Sequence, residues 1–256
     1  MRDAAEGVER NQLGRVGELQ ERIQGGLDGV IDRLSKRGPL SQNGSAQSPD
    51  SLSQLVPLIL ELVRRQAAVA LGTEELSRIR TRQDGPLRPL QLEAVRQLAL
   101  DQRELVQETV SLEMFVEAAE VFAFGLRSAS HEMLRAAVRL EQGVADRDTI
   151  AAQAAALRKL RGLHEALQQD GRDPDAEPAG PPSQRPQESA STKLQLSELR
   201  LLKAMQLEIN RRTTELDAQR DRSGSLPLES RRELADLMTE QGSLSAIVLK
   251  LSREAE

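Results

Sequence analysis

Two stretches of the chain place leucine, glutamine and threonine at alternating steps of three and four residues, and this spacing constrains the fold most. Such steps put the marked side chains on one face of an α-helix, as in helices that pack along a partner helix. A Gly/Pro segment divides each stretch, and glycine and proline end one helix and start the next. We therefore expect two antiparallel helical hairpins, at residues 51–112 with a turn near 84–88 and at residues 193–254 with a turn near 223–227.

The hairpin turns fix which residues face each other. Facing residues should have numbers that sum to about 168 in the first hairpin and about 447 in the second, so Gln66 lies opposite Gln102 and Gln206 opposite Gln241. An amide pair weakens an apolar seam relative to leucine but penalises slipped registers, in which each amide loses its partner. The other interpretation of these glutamines is a polar ligand site. The polar layers that we expect in the seams consist of Gln66, Gln102, Gln206, Gln241, Thr73 and Thr213.

The two hairpins are also similar to each other in sequence. Residues 62–80 align with residues 202–220 at a distance of 140 positions, and the return helices align at a distance of 139. The N-terminal segment repeats more faintly, at distances of 132 and 133. We expect an all-α tandem duplication, in which each unit is a short helix, a longer helix, a linker and a hairpin. The alternative is chance similarity between leucine-rich helices.

This duplication divides the rest of the chain. Residues 1–36 hold the first helix pair and residues 133–169 the second, whose thinner stripe includes Ala156, Leu160 and Leu167. Residues 37–50 and 170–192 are rich in Pro, Gly and Ser and nearly lack apolar side chains, so we expect disordered linkers. The stripe of the first pair consists of Leu13, Val16, Gln20, Ile23, Leu27, Val30 and Leu34.

The three phenylalanines, Phe115, Phe122 and Phe124, all lie between the two units. We expect residues 113–132 to form a connecting helix that continues the helix starting at Pro89. One interpretation of this apolar segment is a hydrophobic contact between the units. The other is an exposed aromatic patch, because exposed apolar patches mark interaction sites.

Composition excludes several kinds of functional site. The chain has no cysteine and only two histidines, His131 and His164, which excludes thiolate centres, cysteine nucleophiles and multi-histidine metal sites. No phosphate-binding glycine loop, GxSxG or EF-hand motif occurs. The net charge is −5 without a basic cluster, which disfavours nucleic-acid binding, and no apolar run is long enough to span a bilayer. We expect no catalytic, cofactor-binding or metal site.

Three segments carry a resemblance to a known group of proteins. They read EVFAFGLRSASHEM from Glu120, QLEINRRTTEL from Gln206 and ELADLMTEQG from Glu233. These segments resemble helical, coiled-coil envelope proteins of planctomycete-type bacteria, in which a Gln- and Arg-Thr-containing helix leads through a Leu-x-Pro turn to a glutamine-centred return helix. The resemblance implies an envelope or secreted location and no activity.

The function expected from these observations is structural. We expect a non-enzymatic scaffold or spacer whose helices pack with each other or with another copy of the chain. The alternative is a client- or ligand-binding helical module that uses residues 115–124 and alanine-rich grooves. Its partner would be protein, without nucleic acid or a transmembrane segment. An envelope location is expected if Met1 is internal to a longer secreted chain, and a cytoplasmic one if Met1 is the true start.

Overall fold

The computed structural model describes residues 49–83, 86–116, 119–168, 190–220 and 225–254. These residues form six α-helices and no strand, which confirms the all-α class for this part of the chain. They divide into two compact units between Ala190 and Ser191. The expected helix pair at residues 1–36 and nearly all of both expected linkers lie outside the described residues. The helices are α1 (Pro49–Gln83), α2 (Pro89–Phe115), α3 (Glu120–Glu141), α4 (Arg147–Gln168), α5 (Ala190–Asp217) and α6 (Leu228–Glu254).

Helices α1 and α2 form an antiparallel hairpin through the face that carries the 3-4 spacing. Proline occupies the first position of α2, and the Gln91 side-chain oxygen accepts a hydrogen bond from the Arg88 N–H at 2.8 Å, so the helix start is capped. Arg65 of α1 reaches Glu104 and Glu108 of α2, which fixes the edge of the hairpin. The residues of α1 buried in this seam are Leu55, Ile59, Leu62, Gln66, Val69, Thr73 and Leu76.

The expected continuous helix over residues 113–132 is wrong. Helix α2 ends at Phe115, and after a reversal α3 begins at Glu120. The reversal buries Val116, Ala119 and Phe122, which a straight helix would carry away from the hairpin. Arg127 of α3 then pairs with Glu113 of α2 at 2.7 Å, across the reversal.

The turn from α3 to α4 is closed by backbone and side-chain hydrogen bonds. Gly143 adopts a positive φ of 75°, and the Val144 N–H donates to the Arg139 carbonyl at 2.9 Å, as in a Schellman motif. Asp146 caps α4 by accepting from the Thr149 N–H at 3.1 Å, and Arg139 donates to the same carboxylate at 2.6 Å. The end of one helix and the start of the next are therefore held by one cluster.

The first four helices form a closed ring. Contacts join α1 to α2, α2 to α3, α3 to α4 and α4 back to α1, which makes this unit a four-helix bundle. Small residues let α3 and α4 approach closely, since a Cβ added at Gly125 would lie 2.8 Å from Leu163. The sequence assigned α4 to the second repeat, whereas the structure packs α4 onto the hairpin of the first.

Helices α5 and α6 form the second hairpin. Leu202, Ile209 and Leu216 of α5 and Leu237 and Leu244 of α6 are buried along it. Arg212, whose side chain is almost fully buried, pairs with Glu233 at 2.9 Å and with Glu240 at 3.8 Å. Leu226 is buried just before α6, and its carbonyl accepts from Arg231 at 3.0 Å.

Candidate functional site

A layer of buried glutamines crosses the four-helix bundle. Gln66 Nε2 donates to Gln102 Oε1 at 3.3 Å, and Gln102 Nε2 donates back to Gln66 Oε1 at 2.7 Å. Both side chains are completely buried, so their amides need hydrogen-bond partners within the bundle. The pair lies where the sum of residue numbers, 168, placed it.

A third glutamine, which the sequence reasoning did not single out, enters the layer from α4. Gln153 Nε2 donates to Gln102 Oε1 at 3.1 Å and to Thr73 Oγ1 at 3.0 Å. Thr73 in turn donates to the Val69 carbonyl at 3.0 Å. Gln153 precedes Ala156 by three positions, so it lies on the stripe already recognised in the sequence. That spacing was the signal that could have found it.

Gln153 leaves one acceptor without a partner. Its Oε1 is buried and accepts no hydrogen bond within the described part of the chain. Leaving a buried carbonyl unpaired costs about 1–3 kcal/mol, so this atom lowers the stability of an otherwise paired layer. Two turns after Gln102 on α2, Thr109 donates to the Leu105 carbonyl at 2.7 Å and approaches Met133 Sδ at 3.6 Å.

The second hairpin contains an amide pair of the same kind. Gln206 and Gln241 exchange two hydrogen bonds, both of 2.9 Å. Gln206 Nε2 also donates to Asn210 Oδ1 at 2.7 Å. Thr213 donates to the Ile209 carbonyl at 2.8 Å, as Thr73 does to Val69 in the first hairpin. All six side chains expected in polar layers are therefore buried in the two seams.

The three phenylalanines do not form one exposed patch. Phe122 is 1% exposed and belongs to the bundle core, Phe124 is half-buried, and Phe115 is 54% exposed. Phe122 therefore cannot contact a partner without unfolding of the bundle. The alanine-rich faces are also inside the bundle, on α3 and α4, where Ala129, Ala136, Ala137, Ala152, Ala155 and Ala156 are buried.

Four further apolar side chains of α2 and α3 are exposed. Val110 and Met114 lie one turn apart on α2, and Leu134 and Val138 lie one turn apart on α3. All four are more than a third exposed. We call them the α2–α3 apolar stripe. The two helices that carry the stripe are joined by the ion pairs Arg103–Glu141 and Glu113–Arg127.

The ionisable groups of the first unit link one helix or helix end to another. A hydrogen bond with Glu108 raises the pKa of Arg65, and a hydrogen bond from Arg103 lowers the pKa of Glu141. Burial would raise the pKa of Asp146, but hydrogen bonds from Arg139 and Thr149 outweigh it and lower the pKa below its usual 3.8. These shifts come from helix-to-helix and capping contacts.

Two further features concern metal binding and surface clefts. Within the described ranges, no group of three or more His, Cys, Asp or Glu residues could hold a metal ion. A shallow cleft between α1 and α4 is lined by Glu74, Ser77, Arg78, Thr81, Arg82 and Ile150.

None of the helices in the described segments combines the length and apolarity needed to cross a membrane. No protein-family model, curated protein or solved structure matches the chain.

Proposed function

We propose that the chain is a non-enzymatic scaffold or spacer made of a duplicated helical unit. The observation that carries this proposal is the amide pair in each hairpin, because Gln66–Gln102 and Gln206–Gln241 have the same reciprocal hydrogen bonds. The members of the two pairs are 140 and 139 positions apart, which supports duplication. A buried amide pair selects one register of two helices, which is a property that a rigid structural element needs.

The charged groups support the same proposal. Arg65 pairs with two glutamates of the next helix, and Arg103 and Arg139 also link separate helices or helix ends. Their charges are therefore used in packing and capping. A catalytic acid or base would instead need a carboxylate or imidazole directed at a substrate cleft.

The experiment that tests the proposal is sedimentation of the purified chain over a wide range of concentrations. A scaffold that assembles through its helices should show a mass above 28.2 kDa that rises with concentration. Its thermal melting temperature should rise in parallel. A mass of 28.2 kDa at every concentration contradicts assembly and favours the second candidate below.

The second candidate is a client-binding helical module, and the α2–α3 apolar stripe favours it. Met114 is 73% exposed although it belongs to a helix that is well packed on its other face. Exposed apolar side chains that lie together on a rigid surface mark contact sites for other proteins. Phe115 and Met114, rather than Phe122, would then form the contact.

The resemblance to planctomycete-type envelope proteins supports one further part of the proposal, which is an envelope location. Cell fractionation followed by detection of the chain tests this part. Recovery with the envelope fraction supports it, and recovery only with cytoplasmic proteins contradicts it.

A further inference from the structure

Helix α6 carries a second set of residues at 3-4 spacing, beside the set that forms its seam with α5. We call this set the α6 outer face. Its members are Ala235, Met238, Gly242, Ser245 and Leu249. Steps of three, four, three and four residues place them on one side of the helix. Glu233 and Glu240, which pair with Arg212 of α5, lie on the opposite edge of α6, so the outer face is directed away from α5.

The α6 outer face is accessible to solvent. Met238 is 37% exposed and Leu249 is 59% exposed. Ala235 and Gly242 are exposed as well, and Ser245 is half-buried. A Cβ added at Gly242 would meet no atom within 4 Å in the described part of the chain. The middle of the face is therefore a shallow depression between two large apolar side chains.

The equivalent face of α2, counted from the seam glutamine of each hairpin, is where α3 packs. Ala99 takes the place of Met238 and is only 3% exposed. Arg103 takes the place of Gly242 and pairs with Glu141 of α3. This side of a hairpin can therefore accept a packed helix. In α6 it offers apolar and small side chains, without the arginine that holds α3 on α2.

The order of large and small residues makes the α6 outer face complementary to a second copy of itself. In an antiparallel pair of α6 helices with facing numbers that sum to 487, Met238 lies opposite Leu249 and Gly242 lies opposite Ser245. Packed helices cross at an angle, so they are closest at the crossing point and diverge toward their ends. Small residues at the centre and large apolar residues on either side fit this geometry.

Self-complementarity is what a two-fold contact between identical chains requires, because each copy contributes the same surface. None of the five residues of the outer face is charged, so pairing places no charged side chain of this face in the contact. A second copy of the chain therefore satisfies both the apolar character of the face and its order of large and small residues.

We propose that two copies of the chain associate through the α6 outer face, with their α6 helices antiparallel and crossing at Gly242 and Ser245. The partner's α6 then packs on the side of the second hairpin that corresponds to the α3 side of the first. This inference names the contact for the assembly proposed above and rests on that proposal. The α2–α3 apolar stripe belongs to the other unit and is a separate surface.

Gly242→Gln tests the contact without removing a side chain from the fold. Glutamine has a higher helix propensity than glycine, and an added Cβ meets no atom here, so the single chain should fold as before. Between two paired helices, the longer side chain fills the crossing point and forces the helices apart. Gly162→Gln is the matched control, because an added Cβ likewise meets nothing within 4 Å at this position of α4.

Sedimentation of the full chain at several concentrations measures the effect, and circular dichroism of dilute samples checks folding. We expect Gly242→Gln to raise the dissociation constant roughly tenfold or more and Gly162→Gln to leave it unchanged. Equal association of the parent and Gly242→Gln would overturn the proposed contact. Equal weakening by the Gly162→Gln control would overturn it as well.

Crosslinking tests the antiparallel orientation, and the absence of cysteine in the chain makes engineered positions unambiguous. Met238→Cys and Leu249→Cys are prepared as separate variants and treated with a short bis-maleimide, alone and mixed. We expect crosslinked pairs in the mixture only, since two copies of residue 238 would lie about 16 Å apart along the helices, at 1.5 Å per residue. Thr239→Cys mixed with Leu249→Cys is the control, because residue 239 lies on a different side of α6.

Two crosslinking results would overturn the proposal. Crosslinking of each variant alone indicates parallel helices. Equal yields in the mixture and in the Thr239 control indicate random collision and not a defined contact.

The sedimentation data also separate this contact from the proposed scaffold. If the parent assembles and Gly242→Gln assembles equally, only the α6 contact is wrong. If the parent remains at 28.2 kDa at every concentration, assembly and the α6 contact are both wrong, and the outer face is left for a client protein or another segment of the same chain.

Discussion

At the scale of single residues, the glutamine layer of the first unit is unevenly paired. Gln66 and Gln102 satisfy each other, whereas Gln153 donates two hydrogen bonds and its own Oε1 accepts none. The three amides therefore contribute differently to stability, although all three are completely buried. Removing an amide to which the others are hydrogen-bonded should lower the free energy of unfolding. Removing the unpaired carbonyl should leave it unchanged or raise it.

Leucine substitutions separate these two roles. Gln102→Leu deprives Gln66 of its reciprocal partner and Gln153 of an acceptor, so we expect a loss of about 1–3 kcal/mol in the free energy of unfolding. Gln153→Leu removes the unpaired carbonyl, while Thr73 keeps its bond to Val69, so we expect little change or a gain in stability. Urea unfolding at constant m-value measures both. Equal losses for the two variants would contradict this account of the layer.

At the scale of secondary-structure elements, the turn between α3 and α4 is held by several hydrogen bonds, and these two helices approach each other closely. Asp146 accepts hydrogen bonds from the start of α4 and from Arg139 near the end of α3. One carboxylate therefore fixes two helix ends. Its ionised form is the form that makes these contacts.

The ionisation of Asp146 predicts a loss of stability in acid. Because its pKa in the folded state lies below the ordinary 3.8, its contribution is present above about pH 4 and is lost as the pH falls through the lower, folded-state pKa. Asp146→Asn should be less stable than the parent at pH 7 and should lose less stability on acidification. Unfolding at pH 7 and pH 3 measures the difference. An unchanged acid slope in the variant would contradict the assignment.

Two glycines on facing helices give opposite predictions for the same substitution. Gly125→Ala brings a Cβ to 2.8 Å from Leu163, a buried side chain, so we expect a net loss of about 1–3 kcal/mol from overpacking. Gly162→Ala meets nothing within 4 Å, so higher helix propensity should stabilise the fold by up to about 1 kcal/mol. Thermal unfolding compares the two variants. Stabilisation by both would show that Leu163 moves aside without cost.

At the scale of the whole molecule, the exposed apolar side chains are the candidate surface for association with other molecules. The α2–α3 apolar stripe is held by ion pairs at Arg103 and Arg127, and Leu90, which is 87% exposed, lies at the far end of α2. The stripe has four exposed apolar side chains on two neighbouring helices, whereas Leu90 is a single one. Association through a defined surface should therefore depend on the stripe.

If the chain assembles as the scaffold proposal requires, the stripe is available to a second copy as well as to a client, and we expect Met114→Ser combined with Leu134→Ser to weaken self-association markedly, because both substitutions remove apolar area from the stripe. Leu90→Ser removes a more exposed leucine outside it and serves as the matched control. Sedimentation at several concentrations measures the change, and circular dichroism checks that each variant remains helical. Equal weakening by the control would place the contact elsewhere.

The sequence information that specifies the two hairpin seams is local. Each helix carries its own 3-4 spacing, and the Gly/Pro turn fixes the register that brings Gln66 to Gln102 and Gln206 to Gln241. The reversal between α2 and α3 could not be predicted in this way. Its sequence, Val-Glu-Ala-Ala, contains no glycine or proline and favours helix. Val116 and Phe122 are each 1% exposed, so their burial overrides that propensity.

In the polar layers too, the sequence predicts the contacts within a hairpin and not the contacts between distant helices. The seam positions of Gln66, Gln102, Thr73 and their counterparts follow from spacing within one hairpin. The contact of Gln153 with Thr73 joins residues 80 positions apart, and no local pattern specifies which helix covers the hairpin. Packing of α4 on the first hairpin is thus information that only the tertiary structure contains.

The reciprocal bond between Gln66 and Gln102 has a consequence for the order of assembly. Since these amides already satisfy each other, the α1–α2 hairpin can close before α4 arrives, and Gln153 can dock on a second lone pair without breaking either bond. Detachment of α3 and α4 likewise leaves no unpaired amide in the hairpin. The amide layer therefore does not require α4 to be in place when the hairpin closes.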